Sequence, residues 1–173
     1  VRADDLEILA APSKSPVSDI INNLGPRIVL IISGGIAAYR ALETARQLQK
    51  RGARVTGVIT ESAKQFITPL SLAALTGEKC YDNLFSLTDE AEMGHIQLAR
   101  SADLILVVPA TANFMARANA GIADDLATTI LLATTAKVVM APAMNTFMWQ
   151  SIMLSFISFH LNNEVCEMLW FRK

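Results

Sequence analysis

The residues of this chain that are able to do chemistry gather in short runs. Ser33-Gly34-Gly35-Ile36-Ala37-Ala38 joins an aliphatic run to a helical pattern. Two glycines let backbone approach a ligand closely, and a helix start offers free N–H groups and a positive dipole end, which suits a phosphate. The run lacks the GxGxxG spacing of dinucleotide sites, so a plain strand-to-helix turn explains it equally well. Thr60 and Ser62 stand at another helix start, where their hydroxyls either cap the helix or reach the same anion. His95 follows Gly94 at a third junction. An imidazole there serves as an acid or base near neutral pH, or is an ordinary surface or core residue.

Pro109-Ala110-Thr111-Ala112-Asn113 is short and polar after a very apolar run. Gly121-Ile122-Ala123-Asp124-Asp125-Leu126 sets two carboxylates before a helix. Capping accounts for one of them, and a metal site lacks further ligands at suitable spacing. The most distinctive run is Pro142-Ala143-Met144-Asn145-Thr146-Phe147-Met148-Trp149. Asn145 carries an amide that both donates and accepts hydrogen bonds. The methionines and Trp149 either wall a ligand or pack on the core.

The elements around these runs alternate. Ile28–Ile32, Val55–Ile59, Leu104–Val108 and Val138–Met140 are continuous aliphatic stretches, the pattern of strands covered on both faces. Helices are expected over about 36–50, from Thr60 to Phe66, from Pro69 to Leu75, over Asn113–Asn119 and over Asp125–Ala133. Cys80 to Glu92 reads as a surface loop. This order predicts an α/β fold, a doubly wound, Rossmann-like parallel sheet between two helix layers. Ligands on such sheets bind beyond the carboxyl ends of the strands, where every one of these loops falls except that of His95 and the Gly121–Leu126 run.

Composition agrees with one packed domain: 173 residues, 52% hydrophobic and 18% charged. The formal net charge of -1 gives no reason to expect a nucleic-acid or membrane partner. Cys80 and Cys166 form no CxxC or zinc pattern, which predicts a reducing, cytoplasmic setting. The longest apolar stretch, Leu126 to Met144, contains Lys137 and Pro142 and reads as a buried helix and strand rather than a membrane span. Residues 1–26 carry Asp4, Asp5 and Glu7 and no long apolar run, so a poorly ordered lead-in is expected there instead of a secretory signal. The chain begins with Val, as expected of a fragment or processed product.

Taken together, these blocks resemble the homo-oligomeric flavin-containing cysteine decarboxylase family. The likeness rests on Ser33–Arg40, Gly94–Arg100, Pro109–Asn113, Gly121–Leu126 and Pro142–Asn145, and covers about Arg27 to Trp149. It implies FMN as cofactor, held by Ser33, Gly34 and Gly35, with Thr60 and Ser62 near its phosphate. Phe66 would be a flavin-adjacent aromatic, and Thr111, Ala112 and Asn113 would contact flavin. It implies an essential His95, assisting as acid-base or by orienting substrate. Asn145, with Met144 beside it, would recognise the cysteinyl end of the substrate, including its carboxylate. The implied reaction is decarboxylation of 4′-phosphopantothenoylcysteine to 4′-phosphopantetheine in coenzyme A biosynthesis. There the thiol is oxidised to a thioaldehyde, carbon dioxide leaves as an enethiolate forms, and a hydride returns. Trimers, or multiples such as dodecamers, are implied, with sites shared between subunits.

The resemblance stops at Trp149, giving a division into 1–26 lead-in, 27–149 FMN-binding domain and 150–173 divergent apolar tail. The family completes the reduction with a cysteine in a glycine-containing flap, and Asn163–Met168 around Cys166 does not match it. A truncated or frame-disrupted gene is expected, and with it impaired reduction of the enethiol. Two other functions stay open: a decarboxylase of peptides ending in cysteine, and a non-catalytic, regulatory flavoprotein.

Overall fold

The computed structural model describes residues 25–84, 94–164 and 166–168. Six parallel strands form one sheet in the order β3-β2-β1-β4-β5-β6. They are β1 (Arg27–Ile32), β2 (Arg54–Ile59), β3 (Cys80–Tyr81), β4 (Leu104–Ala110), β5 (Lys137–Pro142) and β6 (Glu167–Met168). The central strand β1 pairs with β2 on one side and β4 on the other, so the order reverses at β1. That reversal is the topological switch point at which such sheets bind ligands.

Burial on both faces explains the unbroken aliphatic runs. Ile28, Leu30 and Ile32 join Val55, Ile59, Ala41 and Ala45 in one core. Val29 and Ile31 join Ile105, Val107, Phe114 and Ile130 in the other. The first core lies under α1 (Tyr39–Lys50), which continues a 3-10 turn at Ile36–Ala38, and under α2 (Pro69–Thr76). The second lies under α3 (His95–Ser101), α4 (Ala112–Asn119), α5 (Leu126–Ala133) and, beyond the short α6 (Thr146–Trp149), α7 (Ile152–Glu164).

Local chemistry sets the helix ends. Thr68 caps α2 by accepting from the Ser71 N–H, and proline occupies its first turn. Gly77 closes it at φ 71, a left-handed conformation that glycine adopts without a Cβ penalty. Asp125 caps α5 in a reciprocal capping box with Thr128.

The structure changes the reading in two places. The helix expected from Thr60 is a 3-10 helix, Glu61–Gln65. Cys80 and Tyr81, expected in a loop, form an edge strand against Gly57 and Val58, because burying Tyr81 requires its backbone to pair. Beyond Trp149, Leu154, Leu161, Cys166 and Met168 are buried in the second core, and β6 pairs with β5. The lead-in before residue 25 and the stretch 85–93 lie outside the described residues.

Candidate functional site

The loops at the carboxyl ends of β1, β2, β4 and β5 are stitched to one another. Ser33 is 2% exposed. Its hydroxyl donates to the Pro109 carbonyl at 2.6 Å, and the Thr111 N–H donates back to Ser33 Oγ at 3.0 Å. Thr111 Oγ1 lies 3.2 Å from the same oxygen. Thr60 donates to the Ile32 carbonyl through both its N–H, at 3.1 Å, and its hydroxyl, at 3.2 Å. The Ala143 N–H donates to the Ala110 carbonyl at 3.0 Å, tying β5 to β4. At Gly34 the first and second loops touch: a Cβ there would lie 2.4 Å from Ser62 Cβ. The glycine is needed for that approach.

Between these loops lies a cavity of about 210 Å³. Five residues singled out in the sequence line it: Ser33, Thr60, Ser62, Thr111 and Asn113. Asp125, expected only as a cap, lines it too, as do Glu61, Phe114 and Arg117, which sequence reasoning left aside. Arg117 was findable, because it sits one helical turn beyond Asn113 and so shares its face.

Both cations here, Arg117 and Lys64, are each paired with two carboxylates. Arg117 Nη1 binds Asp125 Oδ2 at 2.9 Å, and Nη2 binds Asp124. Burial alone would lift the Asp125 carboxyl. The Thr128 N–H, the Thr128 hydroxyl and Arg117 outweigh it and hold the group below its ordinary value. Lys64 is bound by Glu61 at 2.7 Å and Asp82 at 2.9 Å, which raises its pKa. The neutral donors nearby are the Ser62 hydroxyl, which lies 3.2 Å from Thr60 Oγ1, the Asn113 amide and the first N–H groups of the Ile36–Ala38 turn, which have no intrahelical partner.

Other expected site residues lie outside that cavity. Gly35 borders it, since a Cβ there would meet Thr111 Cγ2 at 3.3 Å. Phe66 ends the 3-10 helix and is 47% exposed. Ala112 and Met144 pack against the second core. Asn145 caps α6, its Oδ1 accepting from the Phe147 N–H at 2.8 Å. An N–H only donates, so this bond fixes the amide: the oxygen is engaged and the Nδ2 hydrogens are free to meet an acceptor. His95 opens α3 behind Gly94, which accepts from the Gln97 N–H at 2.9 Å. The structure describes the His95 backbone and not its ring.

A larger groove, about 900 Å³, runs between α1 and the ends of β4 and β5, past Tyr39, Arg40, Pro109 and Pro142. It contains none of the clustered hydroxyls. The smaller cavity carries the clustered hydroxyls and lies at the switch point. Burial pushes the Cys80 thiol up to about 12 and the Cys166 thiol up to about 11, and both stay protonated at neutral pH. Among the described residues no group of three or more His, Cys, Asp or Glu is placed to hold a metal ion. No helix among them is long and apolar enough to cross a membrane.

Comparison with known proteins adds three findings. The family model described as Flavoprotein matches residues 18–158. The chain is 52% identical over 128 residues to the coenzyme A biosynthesis bifunctional protein CoaBC of Vibrio cholerae serotype O1, covering 74% of this chain and 32% of that protein. It thus spans about a third of the length of that relative. Among solved structures, a mutant PPC decarboxylase complexed with pantothenoylaminoethenethiol superposes with a TM-score of 0.69 at 28% identity, covering 84% of this chain and 81% of that one. The FMN-dependent cysteine decarboxylase SpaF superposes with a TM-score of 0.77 at 28% identity, covering 84% of each chain.

Proposed function

Because the chain belongs to the Flavoprotein family, we propose that it holds FMN at the carboxyl ends of its strands and decarboxylates 4′-phosphopantothenoylcysteine to 4′-phosphopantetheine. The observation that carries this reading is the hydroxyl-lined cavity at the switch point, with the free Asn145 amide donors on the neighbouring strand end. The likeness to CoaBC and to PPC decarboxylase supports the substrate.

The residues fit the cofactor. A phosphate is dianionic and rich in acceptors; the Ser62 hydroxyl lines the cavity, and the Ile36–Ala38 turn, whose first N–H groups lack an intrahelical partner, begins next to Gly35 at its border. Its volume, about 210 Å³, lies below the roughly 300–1,000 Å³ of complete cofactor pockets. It accommodates the phosphate end and leaves the ring system to be covered from outside this cavity. A homo-oligomer, a trimer or a multiple of trimers with sites shared between copies, belongs to the proposal through the family resemblance.

A flavin, when bound, supplies the two-electron oxidation that makes the cysteinyl side chain an electron sink for loss of carbon dioxide, and then returns those electrons. The net reaction is redox-neutral: the carboxylate leaves as carbon dioxide and a proton takes its place. The protein's part is orientation. Asn145 Nδ2 donates to the substrate carboxylate, holding it for cleavage. His95 moves a proton at the cysteinyl end or orients that end.

Carbon dioxide release from 4′-phosphopantothenoylcysteine by FMN-loaded wild type and His95→Asn tests the proposal, with bound flavin measured in both. Release by wild type, and loss of release without loss of flavin in the variant, is expected. Equal release by the two proteins removes His95 from the mechanism, and none by flavin-loaded wild type refutes the function. A peptide ending in cysteine, the alternative that the family resemblance leaves open, is the second substrate to assay.

A further inference from the structure

The polar side chain most deeply set in the cavity wall is that of Ser33, and its bonding differs from that of a ligand. A serine hydroxyl has one proton to give. Here it faces two acceptors, the Pro109 carbonyl at 2.6 Å and Thr111 Oγ1 at 3.2 Å, and the Ser33 oxygen accepts from the Thr111 N–H at 3.0 Å. All three partner atoms belong to Pro109, at the end of β4, and to Thr111 just beyond it, 76 to 78 residues away in sequence. Ser33 has no donor left for a phosphate.

From this we infer that Ser33 is a positioning residue: it latches the junction of β4 and α4, which carries Thr111 and Asn113, onto the phosphate-side loop, and so sets where the flavin-facing groups stand. The same bonds hold the strand end and the helix start. Thr111, held by Ser33, caps α4 through the Phe114 N–H at 3.4 Å, so a shift at Ser33 moves the start of α4 and Asn113 with it. Ser62 and the turn N–H groups are left to hold the phosphate.

The inference rests on the flavin reading above, and a paired titration separates the two. Purified apoprotein, wild type and Ser33→Ala, is titrated with FMN and with riboflavin, which lacks the phosphate. Loss of the latch weakens both flavins alike, by roughly tenfold, the factor that one well-placed buried hydrogen bond represents. The bound-flavin absorption bands shift as well, because the ring's surroundings move. If Ser33 were a phosphate ligand, FMN alone would weaken. A purely structural serine would lower the melting temperature and leave both affinities unchanged. Either of those results overturns the inference. Where Ser33→Ala does not fold, Ser33→Cys retains a weak donor and acceptor, and a smaller but still equal loss for both flavins is expected. Wild-type protein that binds neither flavin refutes the function itself.

Discussion

Gly34→Ala probes the contact between the first two loops most sharply. A Cβ at this position would lie 2.4 Å from both Ser62 Cβ and Ser62 Oγ and 2.6 Å from the Ser62 carbonyl carbon. The hydroxyl is able to rotate away, whereas Cβ and the backbone carbon are not, so the loops must part. Gly34 is not among the positive-φ glycines, which makes the cost steric and not conformational. Overpacking of this kind costs about 1–3 kcal/mol. With the backbone itself in the way, the upper half of that range applies, about 2–3 kcal/mol. For a chain of this size that lowers the melting temperature by roughly 4–12 °C. Gly35→Ala is the control: its nearest neighbour, the Thr111 methyl at 3.3 Å, needs to give by only a few tenths of an ångström. Thermal unfolding followed by circular dichroism, then FMN titration, should show Gly34→Ala much weaker than Gly35→Ala in both. A Gly34→Ala protein that melts with the wild type and binds FMN equally well refutes the seam between these loops.

Asp125→Ala removes an N-cap and one partner of Arg117, and should cost about 2 kcal/mol in urea unfolding, with Asp125→Asn costing less because it still caps. Asp125 and Asp103 both have depressed pKa values, so they bind protons less readily when folded than when unfolded. Their contribution to stability is complete above the unfolded value of about 3.9 and is lost as pH falls through the lower folded values. Asp125→Asn should therefore flatten the acid side of the stability profile. Cys166, buried, and Cys80, half-buried, should react slowly with a thiol reagent at neutral pH in the native protein and rapidly in denaturant; fast native labelling would contradict their raised thiol pKa values. Phe156 and Phe159 lie on the exposed face of α7, so replacing both with Asp should change stability by no more than about 1 kcal/mol while raising solubility. A large loss would mean that this face is covered.

The strands were legible because a central parallel strand is buried on both sides, and Leu30, Ile31 and Ile32 need no polar alternation. The site loops were legible because they fall where those strands end. Cys80–Tyr81 was not, since two residues are too short for a periodic signal and their pairing is decided by β2. The tail after Trp149 resisted for a different reason. α7 is apolar on both sides, burying Leu154 and Leu161 while exposing Phe156 and Phe159, so its sequence does not say which side packs. Ser33 shows the limit at the site itself. Residue type and position put it beside a phosphate loop, but only the distance to Pro109 shows its proton already engaged.

Titration of the folded apoprotein with FMN, followed by fluorescence, addresses the proposed function most directly. Saturable, stoichiometric binding that weakens on Ser62→Ala and Asn113→Ala is the expected result. A folded wild-type protein that leaves FMN fluorescence unchanged would contradict it.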